Sequence, residues 1–521
     1  MYDVSQPYPA QRAPVSADNM VATSQPLATQ AGLTMLARGG NAVDAALASA
    51  ITLTVVEPNN NGVGSDAFCM LWDGQKVVGL NASGCAPAGW HLSRFAGREK
   101  MPDLGWDAVT VPGAVSAWVS LSNRYGCLPF ADLFEPAIRY AQDGFYVGPK
   151  SAHYWQLLAS RYRQYDDFAA HFLPAPAAGE KFYRPELART LEQIAHSHGE
   201  SFYRGKIADA IVAASTRSGG VMNRADLESH EALWVQPTAI DYRKVTVHEI
   251  PPNGQGLAAQ IALGILRHLD PEIVDSARWV HQQVEAMKIA IVAAQKHFAD
   301  PRAMTVSIEA LLEPAALADA AQRIGPRAEN YPVAELPTSP DTVCLSAADA
   351  SGMMVSFIQS NYFAFGSGVV IPETGISMQN RGSGFVLDPA HPNCVGPRKR
   401  PFHTIIPGFV TSGGAPILSF GVMGGHMQHQ GHVQMVTRIF DHLQNPQAAS
   451  DAPRWFIHPD LKLSLEPGFD PAVAESLAAM GHVLVPDTHE STYGGAQLIQ
   501  RMSQGYVGGS DHRKEGYVGG Y

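Results

Sequence analysis

The sequence has too few cysteines for a disulfide framework or a zinc–thiolate site. It contains five, an odd number without a CxxC pair: Cys69, Cys85, Cys127, Cys344 and Cys394. This scatter excludes the class of small disulfide-stapled proteins and indicates a reducing compartment. The N-terminal stretch "MYDVSQPYPAQRAPVSADNM" has no apolar core of the kind that a secretory signal needs. We therefore expect a cytoplasmic protein.

Long apolar runs and basic clusters are also lacking. The longest apolar stretch, 42–56, contains Asp44 and is too short to span a bilayer. The formal net charge is −11, and the densest basic run, "GPRKRP" at 396–401, is short. Proteins that bind the phosphate backbone need clustered Lys and Arg. We expect neither a nucleic-acid partner nor a membrane partner.

Several motifs of common enzyme classes are absent. The sequence has no GxSxG, no HExxH and no Walker-type GxxxxGK[ST]. The stretch "GVGSDA" at 62–67 lacks the third glycine of a dinucleotide-binding fingerprint. Three histidines in "HMQHQGH", His426, His429 and His432, suggest a metal site as an alternative. On a helix their spacing spreads them over about 120°, which is poor geometry for one ion. We expect no cofactor and no bound metal.

The apolar patterns predict helices and strands in separate blocks. Two helices are predicted within 24–58, the first capped by Ser24 and ending at Gly39-Gly40, the second capped by Asn41. Helical patterns continue through 107–330, interrupted by a strand at 243–252. Strands are predicted at 342–348, 353–360 and 416–422, followed by a helix within 424–443. This arrangement favours an α+β fold with layered sheets and helices.

A proline-rich stretch ends abruptly at Thr342 in "LPTSPDTVCLSAAD" (336–349). A threonine hydroxyl is a weak nucleophile unless a base lies beside it. An N-terminal threonine has such a base in its own α-amine, whose pKa is roughly 7.7–8.0. That chemistry requires cleavage of the bond before Thr342. The pattern alone favours the simpler interpretation, a loop that enters a strand, and leaves the chemical one open.

Several segments, in order, resemble the γ-glutamyltransferase family of N-terminal-nucleophile hydrolases, whose members cleave themselves. They are "MVATSQPLATQAGLTMLARGGNAVDAALA" (20–48), "VTVPGAVSAW" (109–118), "PPNGQG" (251–256), "DTVCLSAADASG" (341–352), "FGSG" (365–368), "KRPFHTIIP" (399–407), "GVMGG" (421–425) and "GSDHRKEGYVGGY" (509–521). The resemblance implies a four-layer αββα sandwich. It also implies cleavage between Asp341 and Thr342 into a large subunit, 1–341, and a small subunit, 342–521. Together they would form one structural domain, a heterodimer that could dimerise further.

The resemblance assigns catalytic roles to four residues. Thr342 would be the nucleophile, with the Ser360 hydroxyl beside it. Gly424 and Gly425 match the glycine pair whose N–H groups form the family's oxyanion hole. Two N–H groups at the start of a helix suit developing negative charge.

The residues that would hold the substrate depart from the family. Ser83 stands where the family has an arginine for the α-carboxylate, and His403 and Thr404 replace its paired serines. Arg381 and Gly384 stand where acidic or amide residues receive the α-ammonium. A cation at Arg381 favours a carboxylate and repels an ammonium. For His403, a packing role is as compatible with the sequence as substrate contact.

The combination is most similar to the oxamate amidohydrolase branch of the family, which acts in purine-nitrogen breakdown. We therefore predict hydrolysis of a small carboxylate-bearing amide such as oxamate, to oxalate and ammonia. Hydrolysis or transfer of γ-glutamyl groups from glutathione-like amides is an alternative. An unprocessed homologue that acts by binding is a further one.

Overall fold

The computed structural model describes residues 12–332, 342–487 and 490–521. Asp341, the predicted residue before the cleaved bond, lies outside them. The strands are β1 (Val15–Ala17), β2 (Met20–Thr23), β3 (Asp66–Trp72), β4 (Val77–Ala82), β5 (Phe145–Tyr146), β6 (Lys181–Phe182), β7 (Leu233–Val235), β8 (Thr238–Tyr242), β9 (Val245–Glu249), β10 (Val343–Ala348), β11 (Met354–Ser360), β12 (Val370–Ile371), β13 (Ile376–Ser377), β14 (Gly408–Ser412), β15 (Ala415–Met423), β16 (Trp455–Ile457), β17 (Leu463–Leu465), β18 (Gly495–Arg501), β19 (Tyr506–Ser510) and β20 (Tyr517–Gly520).

The α-helices are α1 (Pro26–Ala37), α2 (Ala42–Val56), α3 (Ala114–Tyr125), α4 (Glu135–Asp143), α5 (Pro149–Ala159), α6 (Asp166–Phe172), α7 (Pro185–His196), α8 (Glu200–Tyr203), α9 (Lys206–Arg217), α10 (Arg224–Glu228), α11 (Gly256–Leu266), α12 (Ala277–His297), α13 (Ile308–Leu311), α14 (Pro314–Arg323), α15 (Met427–Phe440), α16 (Pro446–Asp451) and α17 (Pro471–Ala479). Among the described residues, none of these helices is both long and apolar enough to cross a membrane.

Two seven-stranded antiparallel sheets form the centre of the molecule. Sheet I has the order β20-β2-β10-β11-β3-β4-β7, and sheet II has the order β1-β19-β18-β15-β14-β9-β8. Each sheet contains strands from both sides of residue 342, so the segments 1–341 and 342–521 are interleaved in both sheets.

Helices cover the outer face of each sheet. α1 and α2 pack on sheet I, while α11 and α15 pack on sheet II, with α12 against α11. Between the sheets lies a third apolar cluster that includes Phe68, Ile358 and Ile499. The layers therefore run helix, sheet, sheet, helix, which confirms the predicted αββα sandwich.

The predicted cap of α1 is wrong by one residue. The Gln25 side chain, not that of Ser24, accepts hydrogen bonds from the backbone N–H groups of Leu27 and Ala28. The Ser24 hydroxyl instead donates to Glu57 Oε2 at 2.5 Å, a partner 33 residues away that local pattern does not reveal. Asn41 caps α2 in a capping box, as predicted.

One row of residues crosses four neighbouring strands of sheet I. Ser360 pairs with Asp66, Val343 with Gln359, and Ala67 with Ala82. One further residue along the same register places Thr342 opposite Ser360 and Ser83 opposite Asp66. Side chains of paired residues lie on the same face of a sheet. The row Thr342, Ser360, Asp66 and Ser83 therefore forms one wall of the site.

Candidate active site

Thr342 precedes β10 and is buried, and its hydroxyl meets the hydroxyl that the resemblance placed beside it. Thr342 Oγ donates to Ser360 Oγ at 3.2 Å. Ser360 Oγ also accepts from the N–H of Tyr362 at 2.8 Å. Gln428 Nε2 donates to Thr342 Oγ at 3.4 Å. The Thr342 oxygen is thus held by two side chains, one at the end of β11 and one in the first turn of α15.

The glycine pair Gly424-Gly425 forms the turn between β15 and α15. Both residues have positive φ, +115° and +57°. A Cβ on Gly424 would lie 2.9 Å from Gly494 Cα, so only glycine fits there. Among the described residues, neither N–H of the pair donates a hydrogen bond within the protein. This leaves both groups available for an oxyanion, as the prediction requires.

Two glutamines hold this turn against the rest of the site. Gln255 Nε2 donates to the carbonyl oxygens of Gly425, at 2.9 Å, and Thr404, at 2.5 Å. Gln428 Oε1 accepts from the N–H of Ile406 at 3.0 Å. Sequence reasoning missed both residues as site components. Gln255 stood within the quoted segment "PPNGQG", which was the available signal for it.

Arg381 is buried, yet most of its guanidinium is unpartnered. Nη1 donates to Thr404 Oγ at 2.8 Å, and the guanidinium lies over the Tyr362 ring, 4.5 Å from its centroid. Nε and Nη2 have no partner among the described residues. Burial lowers the pKa of Arg381 to about 10, opposed by the nearby charge of Asp66. The side chain remains a cation at neutral pH and presents two free donors.

Asp66 completes the site and was missed by the sequence reasoning. Its Oδ1 accepts from the N–H groups of Gly84, at 3.2 Å, and Gly113, at 3.1 Å. Its Oδ2 lies 3.1 Å from His403 Nε2. Burial raises the pKa of Asp66 to about 7, and the charge of Arg381 is the largest opposing cause. The only local signal was the stretch "GVGSDA", which resembles part of a dinucleotide-binding fingerprint.

His403 is fully buried, with both ring nitrogens engaged. Nδ1 accepts from the N–H of Ile405 at 3.4 Å, which assigns the proton to Nε2 and makes Nε2 the donor to Asp66. Burial and the charge of Arg381 keep the pKa of His403 well below its usual value, so the ring is neutral. These contacts match a packing and positioning role for His403 rather than contact with a substrate.

Two of the positions that the resemblance assigns to an amino-acid head, Ser83 and Gly384, have no charged side chain. The Ser83 hydroxyl donates to Asn81 Oδ1 at 2.7 Å, and Asn253 Nδ2 donates to it at 3.2 Å. At Gly384 a Cβ would lie 2.6 Å from the carbonyl oxygen of Phe402. No side chain at Gly384 could receive an ammonium without moving that loop.

The three histidines of "HMQHQGH" do not meet around a common point. The rings of His426 and His429 have centroids 6.5 Å apart, and His432 Nδ1 lies 2.6 Å from Glu249 Oε1. Within the described residues, the only group with ligand atoms close enough for one ion is His281, Glu285 and His482. The structure gives the histidine-based metal alternative no support.

The side chains of the His281 group already bind one another and Lys288 through hydrogen bonds. His281 Nδ1 and His482 Nε2 lie 2.8 Å apart, and Lys288 Nζ donates to Glu285 Oε1 at 2.7 Å. The lysine ammonium supplies the positive charge that the carboxylate needs. This cluster joins α12 to the segment after α17 and is structural.

Two facing antiparallel sheets between helical layers, with a threonine at the start of a central strand, define an N-terminal-nucleophile hydrolase. The chain belongs to the gamma-glutamyltranspeptidase family, whose model matches residues 28–521. The predicted family is thereby confirmed.

Three relatives illustrate the range of the family. The chain is 35% identical to the glutathione hydrolase-like YwrD proenzyme of Bacillus subtilis (strain 168), covering 96% of this chain and 98% of that protein. It is also 35% identical to the oxamate amidohydrolase proenzyme of Klebsiella pneumoniae, covering 97% and 99%. The crystal structure of cephalosporin acylase from Bacillus halodurans matches with a TM-score of 0.96 and 46% identity, covering 100% and 99%.

These relatives fix the class of the protein but not its substrate. The chain is a self-processing amidohydrolase, and its family forms large and small subunits from one precursor. The three names point to different substrates, so the choice among them depends on the residues that line this site.

Proposed function

We propose that the chain hydrolyses a small amide that bears a carboxylate but no free α-amine, with oxamate as the model substrate. One observation carries the proposal: the Arg381 guanidinium is buried, and its Nε and Nη2 have no partner in the part of the chain that the structure describes. A carboxylate placed there gains charge-assisted hydrogen bonds from two donors in a site shielded from water. A second cation placed there meets repulsion instead.

The reaction begins with self-cleavage. Thr342 Oγ attacks the carbonyl carbon of Asp341 and forms an ester, water hydrolyses the ester, and the α-amine of Thr342 is freed. This α-amine then serves as the base that the hydroxyl lacks. Ser360 Oγ, 3.2 Å from Thr342 Oγ, keeps the nucleophile oriented in the meantime.

Hydrolysis of the amide repeats the same chemistry on the substrate. Thr342 Oγ attacks the amide carbon, and its proton passes to the α-amine while the N–H groups of Gly424 and Gly425 stabilise the oxyanion. The C–N bond breaks as the nitrogen takes the proton back from the α-ammonium, and ammonia leaves. Water, deprotonated by the same amine, hydrolyses the ester and releases oxalate and the free hydroxyl.

Conventional γ-glutamyl chemistry is less compatible with these residues. An α-ammonium needs a carboxylate with free acceptor capacity, and the buried carboxylate of this row, Asp66, already accepts from two N–H groups and from the His403 ring. Ser83 and Gly384 offer no charge in its place. The free donors of the site among the described residues, Arg381 Nε and Nη2 and the N–H groups of Gly424 and Gly425, suit an anion rather than an ammonium.

Removal of a carboxylate-bearing acyl group from a larger amine is a second candidate. It is favoured by the 46% identity to the cephalosporin acylase of Bacillus halodurans over the full chain. Arg381 would hold the far carboxylate of a glutaryl group in the same way. The two candidates differ in acyl length and in leaving group, not in catalytic residues.

A panel of amides tests the proposal. Ammonia or amine release would be measured from oxamate, glutaryl anilide and γ-glutamyl anilide with the processed enzyme. We expect turnover of oxamate and rejection of the γ-glutamyl compound. Preference for γ-glutamyl anilide would overturn the proposal, and preference for glutaryl anilide would favour the acylase. The same panel is measured with Arg381→Met, which should lose oxamate turnover. Arg189→Met, at an exposed arginine in α7, is the control for this variant.

We also propose that cleavage falls between Asp341 and Thr342, and that the enzyme is cytoplasmic. The intact mass of the purified fragments tests the first statement, since one fragment must begin at Thr342. Fractionation of the native cells tests the second. A single uncut chain with activity would overturn the assignment of Thr342.

A further inference from the structure

Asp66 lies on the same sheet face as the nucleophile, two strands away. Thr342, Ser360 and Asp66 occupy one row of β10, β11 and β3. Neighbouring strands are about 4.8 Å apart, so the row places Asp66 roughly 10 Å from Thr342. A carboxylate bound at Arg381 also lies within reach of the charge of Asp66, because the charges of Arg381 and Asp66 already act on each other across the pocket.

Asp66 and Arg381 are connected through two consecutive residues. His403 donates to Asp66, and Thr404 accepts from Arg381. The backbone of this pair is fixed in turn by Gln255, which donates to the carbonyl oxygen of Thr404. A buried anion and a buried cation are thus anchored on one short segment without a direct ion pair between them.

We propose that Asp66, acting through His403, is a positioning residue for Arg381, and that carboxylate binding at Arg381 is coupled to uptake of one proton by the Asp66–His403 pair. The proposal rests on the proposed function, because it assumes that a carboxylate binds at Arg381.

The reason is the charge balance of the pocket. Without substrate, the Arg381 cation and the Asp66 anion offset each other within a desolvated region. A substrate carboxylate adds a second anion. Keeping two buried like charges ionised at close range costs free energy. A proton on the pair removes the excess charge. The raised pKa of Asp66, about 7, makes this proton available near neutral pH.

The hydrogen bonds provide a route for the proton. A proton from the bulk solvent binds His403 Nδ1, which gives up its 3.4 Å contact with the N–H of Ile405, and the Nε2 proton moves along the 3.1 Å contact to Asp66 Oδ2. The ring stays neutral in its other tautomer, Asp66 becomes a neutral acid, and one proton has been added in total. Asp66 Oδ1 keeps both backbone donors throughout.

Among the described residues, the other titratable side chains near Asp66 do not supply an alternative proton site in this range. The α-amine of Thr342, freed by cleavage, titrates at roughly 7.7–8.0, and the Asp66→Asn variant separates its contribution because that variant keeps the amine. Arg381 and Arg400 lower the pKa of Asp66 by their charge. Burial raises the pKa of Tyr203 and of Cys85 and lowers that of His230, so near pH 7 all three are neutral. The groups that surround Asp66 are Arg381, Arg400, His403, Cys85, Tyr203 and His230.

Calorimetry on the processed enzyme with oxalate as the probe tests the coupling. Titrations at one pH in buffers of different ionisation heat give the number of protons taken up on binding. We expect a value between zero and one, largest near pH 7 to 8, and KM for oxamate that rises up to about tenfold per pH unit above pH 7. The Asp66→Asn variant retains an oxygen for the Gly84 and Gly113 donors and should show no uptake and a flat KM.

The outcomes separate the inference from the function on which it rests. Oxalate binding and oxamate turnover with no proton uptake, and an unchanged pH profile in Asp66→Asn, would overturn the inference alone. Absence of both binding and turnover would overturn the proposed function and the inference with it. Asp226→Asn, in the capping box of α10, is the control and should keep the wild-type profile. If Asp66→Asn fails to fold, a wild-type proton count of zero at pH 7 to 8 would still overturn the inference.

Discussion

Two buried clusters in this molecule combine aspartate with arginine, and they use their hydrogen bonds differently. The first, near the C-terminus, joins Asp511 to Arg454 and Arg513. The second is the pocket of Asp66, His403 and Arg381. Both are almost completely shielded from water. They differ in how many guanidinium donors the protein itself satisfies.

The C-terminal cluster is nearly saturated. Arg513 holds Glu466 with two parallel bonds, Nε at 2.6 Å and Nη2 at 2.5 Å, and also donates to Asp511 Oδ1 at 3.1 Å. Arg454 Nη2 donates to Asp511 Oδ2 at 2.5 Å, and only its Nε lacks a partner among the described residues. Two arginines hold the pKa of Asp511 well below its usual range. This cluster stabilises the fold.

In the pocket cluster, the described residues leave part of the Arg381 guanidinium without hydrogen-bond partners. Arg381 uses one nitrogen for Thr404 and leaves two free, and the pKa of Asp66 is raised rather than lowered. A buried donor without a partner costs free energy, of the order of 1–3 kcal/mol, unless a ligand supplies the acceptor. Open donors, rather than the presence of charge, therefore distinguish the binding site from the structural cluster.

The largest expected effect is at the nucleophile, which neither cluster contains. Thr342→Ala should abolish both self-cleavage and amide hydrolysis, because no other hydroxyl occupies the start of β10. A denaturing gel and an ammonia assay measure the two losses. Thr342→Ser, which keeps a hydroxyl, is the matched control and should still cleave. Cleavage of the alanine variant at the same bond would show that another residue is the nucleophile.

Replacing each of two buried arginines by methionine tests the difference between the two clusters directly. Arg381→Met should lower kcat/KM for oxamate by about 30- to 4,000-fold, equivalent to roughly 2–5 kcal/mol, while the thermal midpoint changes little. Arg513→Met should instead lower the free energy of unfolding by about 3–5 kcal/mol, because it leaves Asp511 and Glu466 less compensated. Equal stability losses in the two variants would contradict the distinction.

Asp511→Asn tests the structural cluster with little change of shape. Loss of the anion leaves two buried guanidinium groups in mutual repulsion, so we expect a destabilisation of about 3–5 kcal/mol. Thermal melting of the processed heterodimer measures it, with activity per folded molecule unchanged. The matched Asp66→Asn variant should lose much less stability, since Arg381 lies free of a direct ion pair with Asp66.

Ser360 is expected to have a smaller effect than the charged residues. Ser360→Ala removes one neutral hydrogen bond to Thr342, worth about 1 kcal/mol, so kcat should fall roughly five- to tenfold. Ser360→Thr keeps the hydroxyl and should restore most of the rate. A rate unaffected by the alanine change would remove Ser360 from the catalytic assignment.

Sequence reasoning found the parts of this site that are marked locally. Thr342 and Gly424-Gly425 lie at abrupt changes of pattern, and the helices on either side of Gly39-Gly40 have strong stop and cap signals. Asp66 and Gln428 carry no such mark. Asp66 meets Ser360 only through strand register, 294 positions apart by number (360 − 66), and Gln428 meets Thr342 only through packing of α15. Contacts of this kind depend on tertiary structure, so one sequence cannot reveal them.

The smallest expected effect is on the pH dependence of stability, and it distinguishes Asp511 from Asp66 most directly. The lowered pKa of Asp511 contributes stability that is present above its unfolded value, 3.8, and is lost as pH falls further. The raised pKa of Asp66 has the opposite sign, since the folded state binds the proton more tightly and stability falls as pH rises from about 4 to about 7. Thermal midpoints measured from about pH 2 to 8 should therefore fall less steeply with acid in Asp511→Asn and lose their decline toward neutrality in Asp66→Asn. Parallel curves for the two variants would mean that the aspartates have the same role, and that the free donors of Arg381 do not set the two clusters apart.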